Sequence, residues 1–113
     1  MKTYPITPVP KPRMTARDKH RPIHKRYFKF CNDVRMLNIK LPFHGGHVTF
    51  IIPMPKSWSK QRKEIMNLQL HEQKPDWDNL GKALSDAVYK DDSKISDIRI
   101  TKRWGNEGAI IIK

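Results

Sequence analysis

Between residues 23 and 41 the apolar positions fall at Ile23, Tyr27, Phe30, Cys31, Val34, Leu37 and Leu41. Steps of three and four gather them on one side of a helix, whose turn takes about 3.6 residues. Lys25, Arg26, Lys29 and Arg35 take the other side, so an amphipathic helix is expected over 23–41 with Cys31 in its core-facing stripe. A second stripe, Leu80, Ala83, Leu84, Ala87 and Val88, predicts a helix starting near Asn79, with Asp78, Lys82 and Asp86 on its outer face. Gly45-Gly46 predicts a turn into a β-rich run over 47–53, and Ser57 or Ser59 is placed to cap a short basic helix. Trp58 is read as packing on the core rather than stacking on a base. Residues 3–9 suit a short edge strand, because Pro5 and Pro8 each lack a ladder donor. Residues 95–104 alternate through Ile98, Ile100 and Trp104, residues 105–108 supply a turn, and 109–112 form a buried return strand. The expected fold is α+β: one small domain over 1–113, with a mixed β-sheet, two main helices and a C-terminal β-hairpin.

Charge divides this chain unevenly. Residues 1–75 carry 16 Lys and Arg against 4 Asp and Glu, whereas residues 76–113 carry 7 of each. The net charge of +12 therefore sits entirely in the first two-thirds. Such a basic surface binds phosphate strongly, in a salt-sensitive and largely sequence-independent way. Residues 10–22 hold three prolines, five Lys or Arg and little apolar content, and read as a basic arm or loop ordered by a partner. Lys11, Arg13, Arg17 and Lys19 in that arm, together with Lys74, are the expected DNA contacts. A membrane-surface role is disfavoured, since the cations do not form an amphipathic helix with an aromatic underside. The lone Cys31, the lack of an apolar leader after Met1 and the lack of any long apolar run lead to an expected cytoplasmic location.

Against that basic background stands a knot of acids, Asp76 and Asp78 followed by Asp91-Asp92. Each piece alone has a plain structural use. Asp and Asn cap helices, acids in a first turn suit the helix dipole, and Lys82 can pair with Asp78 and Asp86 at surface spacing. Together they conflict with phosphate binding unless a divalent cation turns repulsion into attraction. Hard oxygen ligands suit Mg²⁺ or Mn²⁺ rather than zinc, and His44-x-x-His47 and His20-x-x-x-His24 lack the matching pair that zinc needs. Without metal, mutual repulsion is expected to leave such a site partly protonated or disordered, and destabilising.

The run Lys74-Pro75-Asp76-Trp77-Asp78-Asn79-Leu80-x-Lys82, continued by Asp86-Ala87 and Asp91-Asp92-Ser93-x-Ile95, resembles the signature of the RusA family of Holliday-junction resolvases, common in phages and prophages. Residues 53–59 and Lys102-Arg103-Trp104 are similar to its phage-type branch. The resemblance implies a homodimeric, Mg²⁺-dependent endonuclease that nicks four-way DNA junctions symmetrically. It places the metal-binding carboxylates at Asp76, Asp78 and Asp92, with Asp91 as the alternative third ligand, and the catalytic lysine at Lys82. Two rivals stand beside it: a non-catalytic basic nucleic-acid-binding module, and a metal nuclease for flaps or single strands.

Overall fold

In a computed structural model, residues 1–13, 21–89 and 91–113 are described. The chain runs β1 (Lys2–Tyr4), α1 (Pro22–Met36), β2 (His44–Pro53), α2 (Lys60–Met66), α3 (Trp77–Val88), a 3₁₀ turn (Asp92–Lys94), β3 (Asp97–Gly105) and β4 (Ala109–Ile112). One four-stranded mixed sheet has the order β1-β4-β2-β3, with β2 parallel to β3 and antiparallel to β4. Val48 and Phe50 of β2 and Ile110 and Ile112 of β4 join Tyr27, Phe30 and Val34 of α1 and Leu80, Ala83 and Leu84 of α3 in one core. Alternation sends His47, Thr49 and Ile111 to the opposite face of the sheet. Cys31 is buried in the core, as its place on the apolar stripe requires.

The expected C-terminal hairpin is not there. β3 and β4 are both neighbours of β2 and never of each other, so residues 106–108 carry the chain across the end of the central strand. Adjacent strands lie about 4.8 Å apart, a step that a short loop spans twice over. Met54 donates its backbone N–H to the Gly105 carbonyl at 3.0 Å where the crossing begins. β2 and β4 are the interior strands, and Val48 and Phe50 of β2 and Ile110 of β4 are each at most 1% exposed.

Local boundaries differ for reasons that are also local. α1 stops at Met36 rather than running to residue 41, because Asn38 adopts φ 54°. Ile39 N–H then reaches the Val34 carbonyl and Asn38 N–H the Arg35 carbonyl, a Schellman closure. Ile39 and Leu41 still enter the core, from the following loop. Gly45 lies inside β2, not in a turn before it, at a bulge where φ is +76°. β1 ends at Tyr4, ahead of Pro5, and occupies the expected sheet edge. Ser59 caps α2 by accepting from Arg62 N–H. Trp58 packs against Trp104 at 4.8 Å and carries the Arg62 guanidinium 4.0 Å from its ring.

Candidate active site

α3 positions most of the acid cluster. Asp76 is its N-cap in extended conformation, yet its side chain makes no capping hydrogen bond, so the carboxylate is left for another partner. Asp78, in the first turn, uses Oδ1 to accept from Asn79 N–H at 2.9 Å. The helix starts at Trp77, two residues earlier than expected, with both aspartates exposed. The loop ahead of it is tied to the sheet by Lys102, whose Nζ donates to the carbonyls of Gln73 at 2.6 Å and Pro75 at 2.8 Å.

Lys82 sits one turn beyond Asp78 on α3, and its ammonium is the hub of the site. It donates to Asp92 Oδ2 at 2.9 Å and lies 3.3 Å from Asp86 Oδ1, whereas no ion pair to Asp78 forms. Asp92 also accepts from the Ser85 hydroxyl at 3.2 Å. Hydrogen bonds from Lys82 hold the Asp92 carboxyl below its ordinary value, and those to Asp92 and Asp86 raise the Lys82 ammonium above its own. Partial protonation from mutual repulsion, expected from clustering alone, is thus not what governs Asp92: the lysine keeps it ionised. Asp91 points elsewhere, capping the 3₁₀ turn through Ser93 N–H, and hydrogen bonding from the Ser93 side chain and then its backbone lowers its pKa.

Below Lys82 and Asp78 opens a cleft of about 200 Å³ with an apolar floor that includes Phe50, Leu84, Ile98 and Ile100. Gly81 belongs to this wall. A Cβ there would come within 2.8 Å of Ile100 Cδ1, so the missing side chain lets α3 approach β3 despite a helix penalty of about 1 kcal/mol.

The expected DNA contacts divide. Lys11 is engaged in the fold, donating to Asp86 Oδ2 at 2.5 Å while its backbone N–H reaches the Asn79 carbonyl at 3.3 Å. Arg13 and Lys74 are exposed, and the Arg13 carbonyl is paired with His24 Nε2 at 2.8 Å. Arg17 and Lys19 lie outside the described residues. The sequence gives Ser85 no role, and it offers Lys102 only as part of the Lys102-Arg103-Trp104 strand, not as the anchor of the Asp76 loop. A serine on a helix and a lysine in a strand carry no signal until the fold places them beside Asp92 and the Asp76 loop.

Among the described residues, no three Asp, Glu, His or Cys side chains gather closely enough to hold a metal ion. The donor chemistry nevertheless fits a hard cation. Asp76 is uncommitted, Asp78 has one oxygen free, and Asp92 is ionised.

A basic α+β domain that holds a lysine among carboxylates at the rim of a cleft has the make-up of a nuclease domain. Residues 5–113 match the family described as Endodeoxyribonuclease RusA, nearly the whole chain, and the protein belongs to that family. Over 63 residues it is 40% identical to a Bacillus subtilis (strain 168) protein called "Uncharacterized protein YqaN", a stretch covering 49% of this chain and 44% of that protein. The chain thus spans less than half of that relative's length. No solved structure matches.

Proposed function

We propose that this chain is a divalent-metal-dependent endodeoxyribonuclease that resolves four-way DNA junctions by paired nicks, working as a homodimer on recombination or repair intermediates. The observation that carries the reading is Lys82, an ammonium held by Asp92 and Asp86 on the same cleft rim as Asp78, in a chain of the RusA family. Its raised pKa keeps it cationic at neutral pH, so its part is to neutralise phosphate charge rather than to abstract a proton. Asp76, Asp78 and Asp92 would hold Mg²⁺ or Mn²⁺, which when bound polarises the scissile phosphate and lowers the pKa of its water. For Asp92 to join such a set it must turn from Lys82, and Asp86 remains to hold the lysine. Lys102 fixes the Asp76 loop through two carbonyls, which limits how far that carboxylate wanders. A C₂ dimer matches the two-fold symmetry of a junction and supplies one site for each of two opposed nicks.

The test is incubation of the chain with synthetic four-way junction, flap and duplex DNA, with and without Mg²⁺, beside Asp78→Asn. Symmetric nicks in the junction alone, only with metal and only in wild type, are expected. Cleavage confined to flaps or single strands would reassign the substrate. Equal binding without cleavage of any substrate would leave a non-catalytic module.

A further inference from the structure

Trp77 is 60% exposed, although Trp104 is 4% exposed and Trp58 packs against it. Exposure alone is common in this chain, but an indole that also lines a cleft beside a charged group presents a flat apolar face with a polar handle to whatever enters that cleft. Trp77 occupies the first position of α3, between the N-cap Asp76 and Asp78. Trp77 lines the 200 Å³ cleft that Asp78 and Lys82 also line, together with the apolar Phe50, Leu84, Ile98 and Ile100. The cleft therefore offers an aromatic face and an apolar floor at one side and a phosphate-seeking ammonium at the other.

We infer that Trp77 is a stacking platform for an unpaired nucleobase adjoining the phosphodiester that Lys82 engages. A nucleotide has the matching division, with a flat π-face at one end and a phosphate at the other. Lys82 is the cation on the rim of the cleft, and the basic residues of 1–75, which carry the chain's net +12, favour a polyanionic partner for the molecule as a whole. Bases in an intact duplex are already stacked on their neighbours and cannot present a free face. Those at a crossover, a flap base or a single-stranded segment can, and stacking is tolerant of base identity. Trp77 thus selects for locally unstacked DNA, independently of the acids that flank it. The inference rests on the nuclease reading for its substrate class, but stacking itself requires no cleavage.

The test measures binding without divalent metal, using a four-way junction, single-stranded DNA and continuous duplex. Each carries the fluorescent base 2-aminopurine, placed at the crossover in the junction. Wild type should quench the probe in the junction and the single strand and leave the duplex probe unchanged. Trp77→Ala should abolish the quenching and weaken binding to the first two by about 5- to 150-fold, equivalent to ~1–3 kcal/mol for one stacked base. Duplex affinity should be unaltered, and Trp77→Phe should retain most of the effect. Circular dichroism and thermal melting confirm that both variants are folded, as expected for an exposed position. Quenching and affinity unchanged in Trp77→Ala would overturn the inference. If wild type shows the Trp77-dependent effect on single strands but never cleaves a junction, the function proposed above fails and the stacking platform stands.

Discussion

Lys82 donates to Asp92 across 2.9 Å, joining the middle of α3 to the 3₁₀ turn that follows it. The contact does two things at once. It keeps Asp92 ionised and it orients the ammonium toward the cleft rim, so one pair sets both the charge and the position of the site. Ser85 supports it from one turn further along the helix, donating its hydroxyl to the same Asp92 oxygen.

Replacing Lys82 should therefore separate chemistry from stability. Its side chain is 51% exposed, and an exposed ion pair contributes at most about 1 kcal/mol. Alanine is a good helix former, so Lys82→Ala should melt within a few degrees of wild type. Single-turnover cleavage of a four-way junction at saturating Mg²⁺ should fall by about 10²–10³-fold, the usual effect of removing one group that stabilises transition-state charge. Arginine should restore little, because its planar fork does not reproduce a compact ammonium. Full activity in Lys82→Ala would reduce this residue to a surface position.

Lys11 makes a different prediction from the rest of the arm. Its ammonium is paired with Asp86, so it should act through the fold, while Arg13, Arg17 and Lys19 act through DNA. A double-mutant cycle of Lys11→Ala with Asp86→Asn should give a coupling of about 0.5–1 kcal/mol by urea unfolding. Changing Arg13, Arg17 and Lys19 together should flatten log K against log[salt] by up to ~0.9 per lost phosphate contact. A zero coupling, or an unchanged slope, would reverse the corresponding assignment.

Core and surface apolar residues should differ in cost. Leu84 is 1% exposed at the junction of α3 with the sheet, and Leu84→Ala should cost about 2–5 kcal/mol through lost transfer energy and a residual cavity. Ile65 on α2 is 68% exposed, and Ile65→Ala should change stability by no more than about 0.5 kcal/mol. Denaturant midpoints at constant slope check both.

The helices were legible because their evidence is local: Tyr27, Phe30, Cys31 and Val34 repeat at helical spacing and are all buried. Ser59 was likewise readable as a cap, since its side chain needs only the N–H three residues on. The end of α1 was not, because Leu37 and Leu41 prolong the helical spacing although Leu37 is exposed and Leu41 enters the core from the loop beyond Asn38. Strand adjacency is a non-local property. Gly105 and Gly108 flank a turn that suits a hairpin, yet β2 pairs with both β3 and β4, and nothing within residues 97–112 signals that a third strand comes between them. In the candidate site the sequence revealed Asp76, Asp78, Lys82 and Asp92 as a motif. The Lys82–Asp86 pair was legible from its i,i+4 spacing, whereas the ties of Lys11 to Asp86, Ser85 to Asp92 and Lys102 to the Asp76 loop emerge only once the chain is folded.

His71 gives the fold a pH response that can be isolated. It is 4% exposed, with its ring 4.2 Å from Trp104, and burial followed by the nearby Lys102 charge lowers its pKa. The folded protein therefore holds the imidazole neutral where the unfolded chain, titrating near 6.5, already binds a proton. Stability from this residue is present above the unfolded value and is lost as pH falls through it toward the folded one. The slope in that window is at most about 1.4 kcal/mol per pH unit for one proton. Urea unfolding at steps from pH 7.5 to 5 should show that decline in wild type. His71→Phe keeps a ring against Trp104 and removes the titration, so the difference in unfolding free energy between wild type and variant should shift toward the variant as pH drops. Parallel pH profiles for the two proteins would mean that His71 is protonated equally in both states and that its burial has no such cost.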